Sequence, residues 1–171
     1  MTAAIAVALM LAAAPAPLEK GQVAPDFEAK TTDGKPFKLS EAVRSKTVVL
    51  AFFPKAFTPG CTRQMTAFTE QYKVLEEKGA LVIGISMDDN ETLARFKKDL
   101  KAPFPFIADP EGRISTLFGV RSPGAKYADR KNFVIGRDRK LLEIESGMFA
   151  IDPDEAIAAC PGPAAAPKDG K

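Results

Sequence analysis

Thr47 to Cys61 reads TVVLAFFPKAFTPGC, and its character changes twice within fifteen residues. The first seven form a nearly continuous apolar run, rich in β-branched and aromatic side chains, as expected of a central strand buried on both faces. Pro54 ends the strand, because proline has no N–H to give to a ladder. From Cys61 to Lys78 the apolar residues Met65, Phe68, Tyr72 and Leu75 recur at steps of three and four, and Gly79 follows as a stop signal, so this segment is a helix. A strand feeding a helix through a short loop places Cys61 in the helix's first turn, where unpaired backbone N–H groups favour an anion. Helix N-termini and a neighbouring arginine lower a cysteine's pKa from about 8.5 into the range of roughly 3.5–7.5, which makes the thiolate dominant at neutral pH.

The pattern repeats downstream. Leu81–Ser86 (LVIGIS) is a second buried strand, and Asp89 or Asn90 caps a helix with Leu93, Phe96 and Leu100 on one side. Phe104–Ile107 is a short strand edged by prolines, Ile114–Phe118 a short helix, and Asn132–Ile135 with Leu141–Glu145 a hairpin around residues 136–139. Asp152-Pro153 starts a last helix that ends near Cys160. Upstream, Phe27 to Phe37 alternates around Asp33-Gly34 as a small ribbon, and Ser40 caps a short helix beginning at Glu41. Strands alternating with helices and a terminal hairpin predict an α/β fold with a central mixed sheet flanked by helices. No second composition regime interrupts the chain, so one domain is expected over 19–160, followed by a flexible Pro/Ala-rich tail, 161–171.

At the other end, no charge precedes Glu19, Ala3 to Ala14 is apolar, and Ala14-Pro15-Ala16 has the small-x-small form of a signal-peptidase site. Residues 1–18 are thus expected to be an export signal, giving a periplasmic or secreted protein. The lack of Lys or Arg near Met1 leaves an N-terminal anchor as the alternative, and without export the protein is cytoplasmic.

Composition narrows the chemistry. The 24 basic and 22 acidic residues are dispersed, with no Lys/Arg block to track phosphates, so nucleic acid is not an expected partner. There is no histidine, which removes the commonest general base, the Cys–His and Ser–His pairs and the most frequent metal ligand. Two cysteines without histidine are too few for a structural zinc site. Taken singly, Cys61 reads as a small buried hydrophobe, Thr58 as a loop residue, Pro54 as a strand terminator, Arg130 as a solvated flank and Gln64 as a surface glutamine.

Pro54-x-x-x-Thr58-x-x-Cys61 within AFFPKAFTPGCT is similar to the peroxiredoxins, in particular their bacterioferritin-comigratory or Q-type branch. VAPDF, TDGKPFKLS, ISMD and DRKNFVIG extend the resemblance over roughly residues 20–158. It implies a thioredoxin-like fold and a thiol peroxidase in which Cys61 is oxidised to a sulfenic acid by hydrogen peroxide or organic hydroperoxides, with no metal or organic cofactor, because the sulfur itself carries the two-electron change. By the same resemblance Pro54 shields the sulfur and the Thr58 hydroxyl bonds peroxide and thiolate. Arg130 completes the pocket, and Gln64 holds the arginine in place. Phe53, Phe57 and Phe118 are expected to shape the pocket and so the peroxide preference.

Many Q-type members carry a resolving cysteine five residues after the first, where this chain has Thr66. Two routes remain for reducing the sulfenic acid. Cys160 swings in from the terminal helix as resolving cysteine, or an external thiol attacks Cys61 directly, from thioredoxin, glutaredoxin, glutathione or, after export, a periplasmic thioredoxin-like protein. A monomer or weak homodimer is expected. A disulfide oxidoreductase of the same fold needs Cys-x-x-Cys, and Gln64 stands where the second cysteine would be. A chaperone or binding module of this fold would have no need of Pro54, Thr58 and Arg130 around a cysteine.

Overall fold

The computed structural model describes residues 17–163. The expected export segment, apart from Pro17 and Leu18, and most of the expected tail lie outside the described residues. Among the described residues no helix is long and apolar enough to cross a membrane.

The chain opens with an antiparallel ribbon, β1 (Glu28–Lys30) and β2 (Pro36–Lys38), followed by the four-residue α1 (Leu39–Ala42). The turn between β1 and β2 is wider than a two-residue hairpin: Thr31 N bonds Lys35 O, Gly34 N bonds Thr31 O, and only Gly34 takes the positive φ, 77°. Helix α1 begins two residues earlier than its sequence suggests, so Ser40 lies inside it and caps nothing. The capping acceptor comes instead from Asp26, whose Oδ1 takes the Ser40 N–H at 2.9 Å.

Strand β3 (Thr47–Phe52) is buried throughout and leads through a six-residue loop to α2 (Pro59–Glu77), which starts two residues before Cys61. Then come β4 (Ala80–Ser86), α3 (Asn90–Leu100), β5 (Phe106–Ala108) and α4 (Arg113–Leu117). The β6–β7 hairpin (Lys131–Ile135, Leu141–Ser146) and a 3₁₀ turn over Gly147–Ala150 precede α5 (Asp154–Ala159). Asp89 is the N-cap of α3, its Oδ1 accepting from Thr92 N at 2.8 Å. Pro153 is the N-cap residue of α5 rather than its first helical one.

The five-stranded sheet has order β5-β4-β3-β6-β7, parallel from β5 to β3 and antiparallel beyond, which is the mixed sheet and thioredoxin-like α/β fold the sequence implies. Alternation along β3 sorts the core. Val48, Leu50 and Phe52 face one cluster with Leu39, Ile114 and Phe118, whereas Val49, Ala51 and Phe53 face another with Cys61, Met65 and Phe68. Eight phenylalanines are less than 2% exposed. At about 1.5–3 kcal/mol each, they give the sheet end beside Cys61 a rigid footing.

Candidate active site

Backbone geometry brings Cys61 to the end of β3. Phe53 N still bonds Ile85 O at 3.0 Å, and beyond Pro54 the chain leaves the sheet. Ala56 N is fixed by Asp88 Oδ2 at 2.8 Å, and Ser86 Oγ holds the same oxygen at 2.7 Å. Phe57 adopts φ 62°, a left-handed conformation that costs a non-glycine residue on the order of 1 kcal/mol. Its ring recovers part of this against Phe96, 5.0 Å between centroids, and the Arg95 guanidinium, 5.6 Å away.

Thr58 is the N-cap of α2 and Pro59 its first residue. The helical ladder begins with Thr62 N to Thr58 O at 2.8 Å, so the Gly60 and Cys61 amides stand ahead of it, next to the Cys61 sulfur. Cys61 is 1% exposed. Thr58 Oγ1 donates to Lys55 O at 2.9 Å and so keeps its lone pairs free to accept.

Arg130 arrives from 69 residues away because of strand register. Lys131 pairs with Phe52 across the β3–β6 ladder, so the residue before it lies beside Phe53 and the loop. Its Nη2 donates to Cys61 Sγ at 3.5 Å, and Nη1 donates to Gly60 O at 3.3 Å and to Gln64 Oε1. A Cβ on Gly60 would stand 3.0 Å from Nη2, so the bare backbone makes room for the guanidinium. Gln64, one turn after Cys61, is fully buried and is not a surface glutamine. A non-titrating cation thus meets the sulfur at a helix start, an arrangement that favours negative charge there and on an oxygen placed beside it.

The other expected residues fall elsewhere. Phe53 is buried under the loop against Phe96 and Phe106, and Phe57 lies at the surface. Phe118 packs on Phe27, Phe52 and Phe133 in the cluster across the sheet, so it cannot shape a pocket at Cys61. Cys160 is 3% exposed, and its Sγ donates to Ala156 O at 3.1 Å. Lys78, just past the far end of α2, reaches Cys160 O at 3.5 Å, and the following chain passes Gly79, where a Cβ would meet Pro163 Cα at 3.3 Å. Cys61 and Lys78 are separated by about 25 Å of helix, so the two cysteines are far beyond the ~7 Å Cα separation a disulfide spans. Burial pushes the Cys160 thiol up to about 11, with Lys78 pulling weakly the other way.

Two residues at this site escape a reading of the sequence. Asn132 Oδ1 accepts from Gln64 Nε2 at 3.0 Å, and Asn132 Nδ2 donates to Glu145 Oε2 at 2.7 Å and to Ala150 O at 3.0 Å. Asn132 is fully buried and Glu145 5% exposed. The available signal is strand period: Val134 faces the Cys61 side, so Asn132, two residues earlier, is a polar residue at an interior position, and Glu145 is its cross-strand partner.

Burial pushes the Glu145 carboxyl from its ordinary value of 4.5 up to about 7. The Asn132 bond opposes the rise, and Glu143 and Glu155 add to it. Between pH 4.5 and about 7 the folded chain therefore keeps a proton that the unfolded chain has released, and stability falls as pH rises through that window. Glu145→Gln removes this penalty. In urea melts it should be more stable than the parent by up to ~3 kcal/mol at pH 8, with the gain vanishing at pH 4.

Residues 20–144 match the AhpC/TSA family. The chain is 34% identical to peroxiredoxin Bcp of Bacillus subtilis over 132 residues, 74% of this chain and 83% of that protein. It is 38% identical to the chloroplastic peroxiredoxin Q of Triticum aestivum over 133 residues, 77% of this chain and 61% of that protein. Its fold matches the crystal structure of peroxidoxin BcpB from Mycobacterium tuberculosis with a TM-score of 0.78 at 34% identity, covering 84% of this chain and 96% of that one.

Proposed function

The chain belongs to the AhpC/TSA family, and on that premise we propose that it is a thiol-dependent peroxidase with Cys61 as the reacting sulfur. The observation that carries this reading is the Arg130 guanidinium against Cys61 Sγ at a helix start. The Cys61 thiolate attacks the distal oxygen of a hydroperoxide. An S–O bond forms, the O–O bond breaks, and the departing alkoxide or hydroxide takes a proton to leave as alcohol or water. Arg130 and the Gly60 and Cys61 amides stabilise the charge on the departing oxygen, Thr58 Oγ1 accepts from the peroxide O–H, and Pro54 covers the sulfur. Gln64 holds Arg130 in place.

The resulting sulfenic acid condenses with a thiol to a disulfide and water, and a second thiol then releases Cys61. A thioredoxin-type reductant supplies these thiols. We assign this step to an external thiol rather than to Cys160, because Cys160 lies at the opposite end of α2 and its raised pKa keeps it a poor nucleophile. Thioredoxin or glutaredoxin would serve in the cytoplasm, and a periplasmic thioredoxin-like protein if residues 1–18 direct export. We read residues 19–160 as one catalytic domain, since β3 to β7 form a single sheet. A chaperone or binding module without activity gains no support from an arginine held on a buried thiol.

The test is peptide mapping by mass spectrometry after one equivalent of hydrogen peroxide. Oxygen addition is expected at Cys61, and an unmodified Cys61 would overturn the reading. Cys160→Ser is expected to consume peroxide with a thioredoxin or dithiothreitol at a rate within about twofold of the parent, at a stability cost of about 1 kcal/mol. A Cys61–Cys160 disulfide in the map, or loss of turnover in this variant, would return Cys160 to the cycle.

A further inference from the structure

Behind Arg130 the hydrogen bonds run in one direction. The guanidinium has only donors, so Gln64 presents its carbonyl oxygen to it and its NH₂ to Asn132 Oδ1. Asn132 in turn aims its NH₂ at Glu145. Every bond donates toward the carboxylate, so the chain begins at the cation on Cys61 and ends at an anion across two strands. Gln64 and Asn132 are fully buried.

We propose that Glu145 is a positioning residue for the Cys61 site, and that the charge on its carboxylate sets how firmly Asn132 and Gln64 hold Arg130 against the sulfur. Hydrogen bonds in a row polarise one another, so a charged acceptor at the end strengthens each bond before it. Protonation falls on Oε1, since a proton on Oε2 would face the Asn132 NH₂, and among the described residues Oε1 has no hydrogen-bond partner. The acid form thus leaves Asn132 a weaker, neutral acceptor. Protons reach the carboxyl from a surface cleft of about 430 Å³ that Glu145 lines with Lys20, Glu143, Phe149 and Glu155.

The charged groups around Glu145 come from three elements. Glu143 is two residues before it on β7 and is paired with Lys20 of the N-terminal segment, and Glu155 faces it from α5. Glu143 and Glu155 favour the protonated form, whereas Asn132 of β6 and the Ala156 amide, which makes no hydrogen bond to Oε1, favour the charged one. Burial, the largest influence, outweighs the bonds that favour the charge and leaves the carboxyl at about 7.

The consequence for rate rests on the peroxidase reading, but the first test does not. In the ¹⁵N-labelled full chain, titrated from pH 5.5 to 8.5, the Arg130 Nε–H signal and the Gln64 and Asn132 side-chain amides should move together with one midpoint near 7. All three movements should vanish in Glu145→Gln. An Arg130 signal that stays still while Asn132 moves, or that titrates unchanged in the variant, overturns the proposal.

The second test is the rate constant for Cys61 oxidation by hydrogen peroxide. The parent-to-Glu145→Gln ratio should grow from near one at pH 5.5 to about threefold at pH 8.5, and should lose its pH dependence when both proteins carry Arg130→Met. A purely structural role gives a flat ratio. A direct charge effect on the sulfur gives the opposite slope and survives without Arg130. Either result overturns the proposal. A parent protein inert to peroxide would sink the peroxidase reading and leave the amide titration to decide this one.

Discussion

Cys61→Ser is expected to reduce peroxide consumption to the uncatalysed background while leaving the fold intact. Sulfur accepts a peroxide oxygen because it is polarisable and can carry the two-electron change. A serine hydroxyl at the same place can do neither. The surroundings offer no substitute nucleophile, since the other thiol is buried beyond the far end of α2 and stays protonated. The exchange of sulfur for oxygen hardly changes volume, and the hydroxyl keeps Arg130 Nη2 as a donor, so the urea midpoint should move by no more than about 1 kcal/mol in stability. Peroxide loss measured with a chemical dithiol, which removes any dependence on a specific reductant, is the appropriate assay. Residual turnover above a few per cent of the parent would show that the chemistry is not Cys61's.

The sequence made this site legible in proportion to how local each part is. TVVLAFF needs no partner to be read as a buried strand, because a strand covered on both faces is apolar at nearly every position. The thiol's place at a helix start follows from Pro54, Gly79 and the spacing between them. Ser40 has the local signature of a cap for α1, but the acceptor comes from Asp26, fourteen residues upstream, and no local pattern shows that. Gln64 has a helix-surface alternative in any one-dimensional reading, and only the register that delivers Arg130 decides it. Asn132 and Glu145 required knowing which face of β6 looks at α2. Phe118 misleads for the same reason, since its aromatic ring suits a pocket wall but lies across the sheet from Cys61. Cys160 shows the limit on distance, because a count of residues along the chain says nothing about which end of α2 the last helix docks against.

Arg130→Met should lower the rate constant for Cys61 oxidation by roughly 10²–10³, the loss seen when one donor to a developing oxyanion is removed. The guanidinium does two things at once: Nη2 points at Sγ while Nη1 is tied to Gln64 Oε1 and Gly60 O, so the donor that meets the peroxide is fixed before the substrate arrives. Methionine keeps the apolar stem but stops short of the guanidinium's place and leaves Gln64 Oε1 and the Gly60 carbonyl without their charged donor, and a moderate stability loss of about 1–3 kcal/mol should accompany the rate loss. Arg130→Lys separates charge from geometry. It retains the cation, but a single ammonium cannot hold Gln64 and face the sulfur in the fixed fork of arginine, so a loss of about tenfold is expected, between parent and Met. If Lys restored the parent rate, electrostatic attraction alone would suffice and the buried chain through Gln64 would have no catalytic consequence. If Lys were as poor as Met, the direction of the donors rather than their charge would govern the reaction, as expected when the stabilised charge develops on the departing oxygen, one atom beyond the oxygen that the sulfur takes.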